Sequence, residues 1–193
     1  MNSLTNNLFI IGGGGHALSV LEILKEKSMP ISGYIDVTPS SKIDLPYVEE
    51  NQFLSEFKYA KNKPEILLAV GTNADCSFRA AMADKYKEFP KCKPIASEKS
   101  IISRDVDISF GTVVMPGACI RTKSVIGQHC IINTMTSIDH ECTLEEIVHL
   151  GPGAILCGNV YLEKNVFIGA GAIIFPGVRI LKNTTIPAGS KVK

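Results

Sequence analysis

At 193 residues, with 20 Lys and Arg against 19 Asp and Glu, the chain carries a formal charge of +1. That balance supplies no electrostatic reason to expect nucleic acid or an anionic membrane as a partner, and no apolar run approaches the roughly 18 residues of a spanning helix. The length suits one large domain or two small ones. Met1 to Asn7 is polar and lacks a basic start, so it does not read as a signal peptide. The six cysteines, Cys76, Cys92, Cys119, Cys130, Cys142 and Cys157, include no CxxC pair, and reduced thiols in a cytoplasmic protein are the expectation.

The first half alternates strand and helix. Leu8 to Ile11 is a short apolar strand running into Gly12-Gly13-Gly14-Gly15. A helical pattern follows, with Leu18, Leu21, Ile23 and Leu24 apolar, and Pro30 ends it. Ser32 to Ile35 reads as a second strand closing at Asp36, and a short helix is expected near Gln52 to Phe57. Glu65 to Val70 is the clearest strand, and a helix from about Cys76 to Lys87 precedes a Pro90- and Pro94-bearing link. This is the βαβαβ alternation of a small Rossmann-like α/β domain, a parallel sheet with covering helices, over residues 1–95.

Gly12 to Ala17 fits a loose G-x-G-x-x-A between strand and helix. Such glycines let the backbone approach a phosphate, and the helix N-terminus offers free N–H groups. Asp36 lies where an acid can accept a ribose hydroxyl. The alternatives are nucleotide binding and a merely tight turn. His16 is either a ligand contact or a helix-start residue. There is room for a single mononucleotide half, which argues against an NAD-dependent oxidoreductase.

From Ile101 the chain divides into sixes. The second place is always aliphatic, from Ile102, Ile108 and Val114 to Ile186 and Val192, and the last place is always small. A helix needs a period near 3.6 and a half-buried strand a period of 2. A period of six fits a stack of flat-sided coils, each six giving a short strand and a corner. Residues 96–193 therefore form the second domain. Pro116-Gly117, Pro152-Gly153 and Pro176-Gly177 mark corners.

The chain has four histidines, and two lie close together, His140 beside Asp139 and Glu141, and His149 before Leu150-Gly151-Pro152-Gly153. His140 takes the fourth place of its six and should face outward. An imidazole titrates near neutrality, and an adjacent carboxylate fixes its tautomer. A zinc site is disfavoured, because His140 and His149 fall on different edges of one coil and no third histidine matches. Cys142, at a small last place, reads as a packed residue and not a nucleophile.

The G-G-G-G-H loop, Val70-Gly71-Thr72-Asn73 and the His140-Glu141-Cys142 to Val148-His149-Leu150-x-Pro152-Gly153 stretch together resemble the bacterial sugar O- and N-acetyltransferases of the sialic acid O-acetyltransferase and UDP-4-amino-sugar N-acetyltransferase type (NeuD/PglD-like). The resemblance covers nearly the whole chain. It implies a left-handed parallel β-helix, acetyl-CoA as co-substrate, no metal, and a homotrimer with active sites between subunits. By motif, His140 resembles the general base and Glu141 its orienting carboxylate. His149, Gly158, Asn133 and Ala170 resemble acetyl-CoA contacts, the Gly158 N–H facing the acetyl oxygen. Gly12, Gly14, His16, Asp36 and Asn73 resemble the nucleotide-sugar contacts. Two positions depart from the family pattern, Val37 in place of a second acid and Glu145 in place of a glycine. The function implied is acetyl transfer to the 4-amino group of a nucleotide-linked deoxysugar. Sugar O-acetylation and a non-catalytic trimeric scaffold are the alternatives.

Overall fold

A computed structural model describes residues 7–72 and 75–193. They fall into two compact units, residues 7–71 with 81–92, and residues 72 and 75–80 with 93–193.

The first unit is a parallel four-stranded sheet. β1 (Leu8–Ile11) is buried throughout, and α1 (Gly15–Glu26) buries Ala17, Val20, Leu21, Ile23 and Leu24. β2 (Gly33–Asp36), β3 (Tyr47–Glu49), α2 (Glu50–Phe57) and β4 (Glu65–Leu68) follow, and α3 (Ser77–Lys85) comes after β4. The sheet order is β3-β2-β1-β4, with Ile10 opposite Tyr34 and Leu67. The elements expected from the sequence are present, with ends shifted by a few residues. β3 was not expected. Its three residues are only half-buried, as an edge strand allows, so they show no apolar run. Phe53 packs edge-on to Phe9 and stacked on Phe89, filling one side of the sheet. Glu49 caps α2 by accepting from the Gln52 N–H at 2.9 Å, and backbone hydrogen bonds hold its carboxyl below the usual range.

The second unit is a parallel β-solenoid. After β5 (Ile95–Ala96) come two-residue strands from β6 (Ile101–Ile102) to β21 (Lys191–Val192). With β5 they form three sheets of five, six and six strands. Partners lie one coil apart, as in Ile132 with Leu150 and Ile138 with Leu156. The second-place residues Ile120 to Ile180 form one continuous core with Ala118, Cys130, Cys142, Val148, Ala154, Val160, Val166 and Ala172. Each coil thus buries its aliphatic residues against two neighbours.

The last place of each six does more than stay small. Thr112 donates through Oγ1 to the Gly127 carbonyl at 2.7 Å and accepts the Cys130 N–H at 3.0 Å. Ser124 does the same between the Asp139 carbonyl and the Cys142 N–H. The thiols of Cys130 and Cys142 reach the Glu145 and Cys157 carbonyls, both at 3.2 Å. These side chains satisfy corner carbonyls that no strand can reach. Burial pushes the thiols up, to about 12 for Cys130 and about 11 for Cys142.

Two outcomes are expected. Leu150→Ala should cost about 2–5 kcal/mol in urea unfolding, because the cavity opens between two coils that cannot close on it. Iodoacetamide at pH 8 should label half-buried Cys119 and Cys157 well before Cys130 and Cys142, read by peptide mass mapping.

Candidate active site

The glycine loop is held by its own strand ends. The Gly12 N–H donates to the Ile35 carbonyl at 2.8 Å. Gly12 has φ +106°, and a side chain there would press on Val70. The Gly13 N–H donates to Asp36 Oδ2 at 2.8 Å, and the Val37 N–H to Asp36 Oδ1 at 2.7 Å. Each Asp36 oxygen therefore already holds one backbone donor and retains a lone pair for a hydroxyl. A Cβ at Gly13 would lie 2.9 Å from Ser40 Cβ and 3.0 Å from the Tyr34 ring. The Tyr34 hydroxyl accepts the Ser40 N–H at 2.7 Å, which keeps Ser40 over the loop. Sequence reasoning passed over Tyr34 and Ser40, since nothing in their spacing marks them.

Gly14 is the N-cap of α1 and no side chain caps the helix. A Cβ at Gly14 or Gly15 would meet nothing within 4 Å, so the loop is open on that side, and in the first turn the Ala17 N–H donates to the Gly14 carbonyl at 3.1 Å. His16 is half-buried, its Cβ close to Gly71. Asn73 lies outside the described residues.

The His140 corner follows the strand Ser137–Ile138. The His140 N–H donates to Asp139 Oδ1 at 2.8 Å, and its Nδ1 lies 2.9 Å from Glu141 Oε2. A carboxylate partner can only accept, so Nδ1 carries the proton and Nε2 keeps its lone pair. The imidazole is 51 % exposed. Glu141 has φ +60°, a left-handed conformation that costs a non-glycine residue. That bend turns the carboxylate back onto the ring of the preceding residue.

Gly158 follows one coil later. Here the need for glycine is close approach, since a Cβ would fall 2.5 Å from His140 Cε1 and 2.7 Å from Nε2. The Gly158 amide is buried against the ring, and none of the described groups accepts its N–H. The Gly158 backbone and the His140 ring are thus close neighbours on one edge.

His149 is placed differently. It is buried, with its ring edge-on to Phe167 at 5.1 Å. Nδ1 meets the Thr72 hydroxyl, and Nε2 lies 3.2 Å from Asn133 Nδ2. Asn133 Oδ1 accepts the Thr134 N–H at 2.8 Å, so its amide nitrogen faces the histidine. His149 Nε2 is then the acceptor and Nδ1–H the donor. Its ring anchors Thr72 and Asn133. The stretch after Thr72 is fastened to the same face, with Cys76 Sγ 3.6 Å from the Val166 carbonyl and Arg79 Nε donating to the His129 carbonyl at 2.8 Å. Burial lowers the Arg79 guanidinium to about 10.

Asn133 and exposed Ala170 occupy the edge that follows the strands of Ile131 and Phe167, whereas His140 and Gly158 occupy the edge after Ser137 and Ile155. Within one chain, then, Asn133 does not share a cleft with His140. Its cleft partner is His149, because one six turns the coil by a full corner. Glu145 accepts from the Tyr161 hydroxyl at 2.7 Å and the Lys164 N–H at 3.0 Å, so the carboxylate ties down its corner. Among the described residues no His, Cys, Asp and Glu side chains gather into a metal-holding group, and no helix is long and apolar enough to cross a membrane.

Known proteins share this architecture. The PglD N-terminal domain family matches residues 7–86. A histidine-to-asparagine variant of perosamine N-acetyltransferase from Caulobacter crescentus, in complex with CoA and GDP-perosamine, is 30% identical; the match covers 97% of this chain and 88% of that one, with a TM-score of 0.87. The acetyltransferase domain of PglB from Neisseria gonorrhoeae FA1090 is 26% identical, over 97% of this chain and 91% of that one, with a TM-score of 0.86. A shorter match, 34% identical over 65 residues, is to the bifunctional protein GlmU of Syntrophotalea carbinolica, of whose length it spans 14%.

Gly158→Ala should push the imidazole aside and lower turnover by more than about tenfold, with little change in melting temperature, since the clash falls on a half-exposed ring and not on the core. Steady-state kinetics and a thermal melt on one preparation check both halves.

Proposed function

The chain belongs to the NeuD/PglD-like family of acetyl-CoA-dependent sugar acetyltransferases, and from that premise we propose that it acetylates the 4-amino group of a nucleotide-linked deoxysugar by direct transfer. The observation that carries the reading is the His140–Glu141 pair at an outward corner, with the Gly158 N–H beside it. An amine acceptor is supported by the relative that holds CoA and GDP-perosamine together.

In this reaction the neutral amine attacks the thioester carbonyl carbon. The C–N bond forms as His140 Nε2 takes the amine proton. Glu141 holds the ring and offsets the imidazolium charge. The Gly158 N–H donates to the oxyanion of the tetrahedral intermediate, a contact typically worth about 3 kcal/mol. The intermediate collapses, the C–S bond breaks, and the imidazolium returns the proton to the departing thiolate. Base and leaving-group acid are then one residue, and the enzyme ends each turnover in its starting protonation state.

Acetyl-CoA is the co-substrate. Its contacts in this reading are Gly158, Asn133, Ala170 and the edge that His149 supports. Asn133 and Ala170 stand on one edge of the solenoid and His140 with Gly158 on another, which favours a homotrimer whose active sites lie between subunits, one edge from each neighbour. The first domain, residues 1–95, supplies acceptor recognition through Gly12, Gly14, His16, Asp36 and Asn73. Six unpaired thiols fit a cytoplasmic location.

His140→Asn should lower kcat about 100- to 10,000-fold while the melt and the binding of CoA stay as in wild type. Unchanged turnover in that folded variant would sink the mechanism. Acetyl-CoA offered with GDP-perosamine, a UDP-linked 4-amino sugar and sialic acid decides the acceptor. An N-acetylated product is expected, and an O-acetylated one would favour a hydroxyl acceptor.

A further inference from the structure

The edge that bears His140 carries a second feature. Its fourth places run Arg104, Thr122, His140, Gly158 and Pro176, one per coil, and Arg121 and Lys123 flank Thr122. Arg104, Arg121 and Lys123 are all exposed. Coils stack at about 4.8 Å, so these cations stand about one and two coil steps from the imidazole.

Two cations elsewhere on the solenoid are paired. Lys164 meets Glu146 at 2.6 Å, and Arg179 meets Glu163 at 2.6 Å. On the His140 edge the carboxylates are already engaged. Asp105 Oδ2 accepts the Thr122 hydroxyl at 2.5 Å, Asp139 accepts the His140 N–H, and Glu141 holds the ring. The Thr122 hydroxyl first, and more weakly the Lys123 charge, hold the Asp105 carboxyl below the usual range. Among the described residues no carboxylate lies within ion-pair distance of Arg104 or Arg121. Two guanidinium groups, each suited to bidentate contact with phosphate, therefore stand without a carboxylate partner on the edge of His140, about one and two coil steps from it.

We propose that Arg104 and Arg121 form a phosphate subsite that takes the sugar-side phosphate of the acceptor's diphosphate, resting on the acceptor class proposed above. The choice of source follows from reach. In a 4-amino pyranose the amine and the anomeric phosphate oxygen lie on opposite sides of one ring, a span comparable to about one coil step. An amine at His140 Nε2 therefore brings its phosphate to the arginines. In acetyl-CoA the whole pantetheine arm separates the thioester from the diphosphate, so an acetyl group at the same point would carry its phosphates well past them. The arginines fix the acceptor's orientation and take no part in bond making, which assigns them to positioning.

The test is calorimetric titration of wild type and Arg104→Gln/Arg121→Gln with GDP-perosamine and, separately, with CoA; the UDP-linked amino sugar replaces the GDP sugar if wild type does not bind the latter. Losing two charge-assisted contacts should weaken nucleotide-sugar binding about ten- to a hundredfold and leave CoA binding unchanged. Arg104→Lys/Arg121→Lys should recover part of the loss and flatten with added salt, which a merely structural role would not do. In turnover the Gln variant should raise KM for the amino sugar with kcat nearly constant. Unchanged sugar binding, or a loss confined to CoA, would overturn the subsite. Absence of acetyl transfer with normal sugar binding would strike the catalytic reading alone.

Discussion

Parallel pairing in register between coils governs the second unit. Because Ser137 pairs with Ile155 and Ile131 with His149, every place of a six is repeated directly above itself. An outward column is therefore a fixed ruler, and each chemical group has neighbours set by arithmetic. Gly158 lies against His140 for that reason and not through any local motif. The same pairing buries Ile138 and Leu156 together, so the core and the site are consequences of one geometric rule.

That rule has costs at the corners. The fifth place of many sixes is left-handed, and glycine fills it at 111, 117, 153, 171, 177 and 189. Asn159, Asn165 and Asn183 accept the conformation more readily than most residues. Glu141 and Ile147 do not. Ile147 has no evident compensation beyond its burial. Glu141 has one, the contact of its carboxylate with the ring before it at 2.9 Å. Backbone bonds from Glu141 N–H to the Thr122 carbonyl at 3.0 Å and from Asn159 N–H to the His140 carbonyl at 2.8 Å clamp the bend from both adjacent coils. In the proposed mechanism this strain would sit where the chemistry needs a fixed tautomer.

Legibility in the sequence tracked how local each cause is. The solenoid was plain, because the six-residue period writes its inward places directly. His140 and Glu141 were legible for the same reason, as outward corner residues next to each other. The edge strand Tyr47–Glu49 was not, since half-burial erases alternation. The hydrogen bonds of Thr112, Ser124, Cys130 and Cys142 were hidden because size alone explained those places, while the acceptors lie fifteen residues onward. The anchoring of Thr72 by His149 spans 77 residues and follows no period at all.

The two-edge arrangement bears on how the enzyme avoids wasting its donor. A base and an N–H donor exposed on a lone coil would activate water as readily as an amine. In the proposed arrangement Asn133 and Ala170 stand on one edge of the solenoid and His140 with Gly158 on another, so a single chain would hold part of the coenzyme contacts apart from the base. In the proposed homotrimer, association would complete the site and would also remove solvent from the corner where His140 is half-exposed. Desolvation strengthens the Glu141 contact with the imidazolium and the Gly158 contact with the oxyanion at the moment both charges develop. The same step would raise the worth of the unpaired arginines on that edge, since a phosphate loses less to bulk water once the edge is covered. On these proposals assembly, charge development and acceptor orientation would be tied to a single event, the closing of one edge against another.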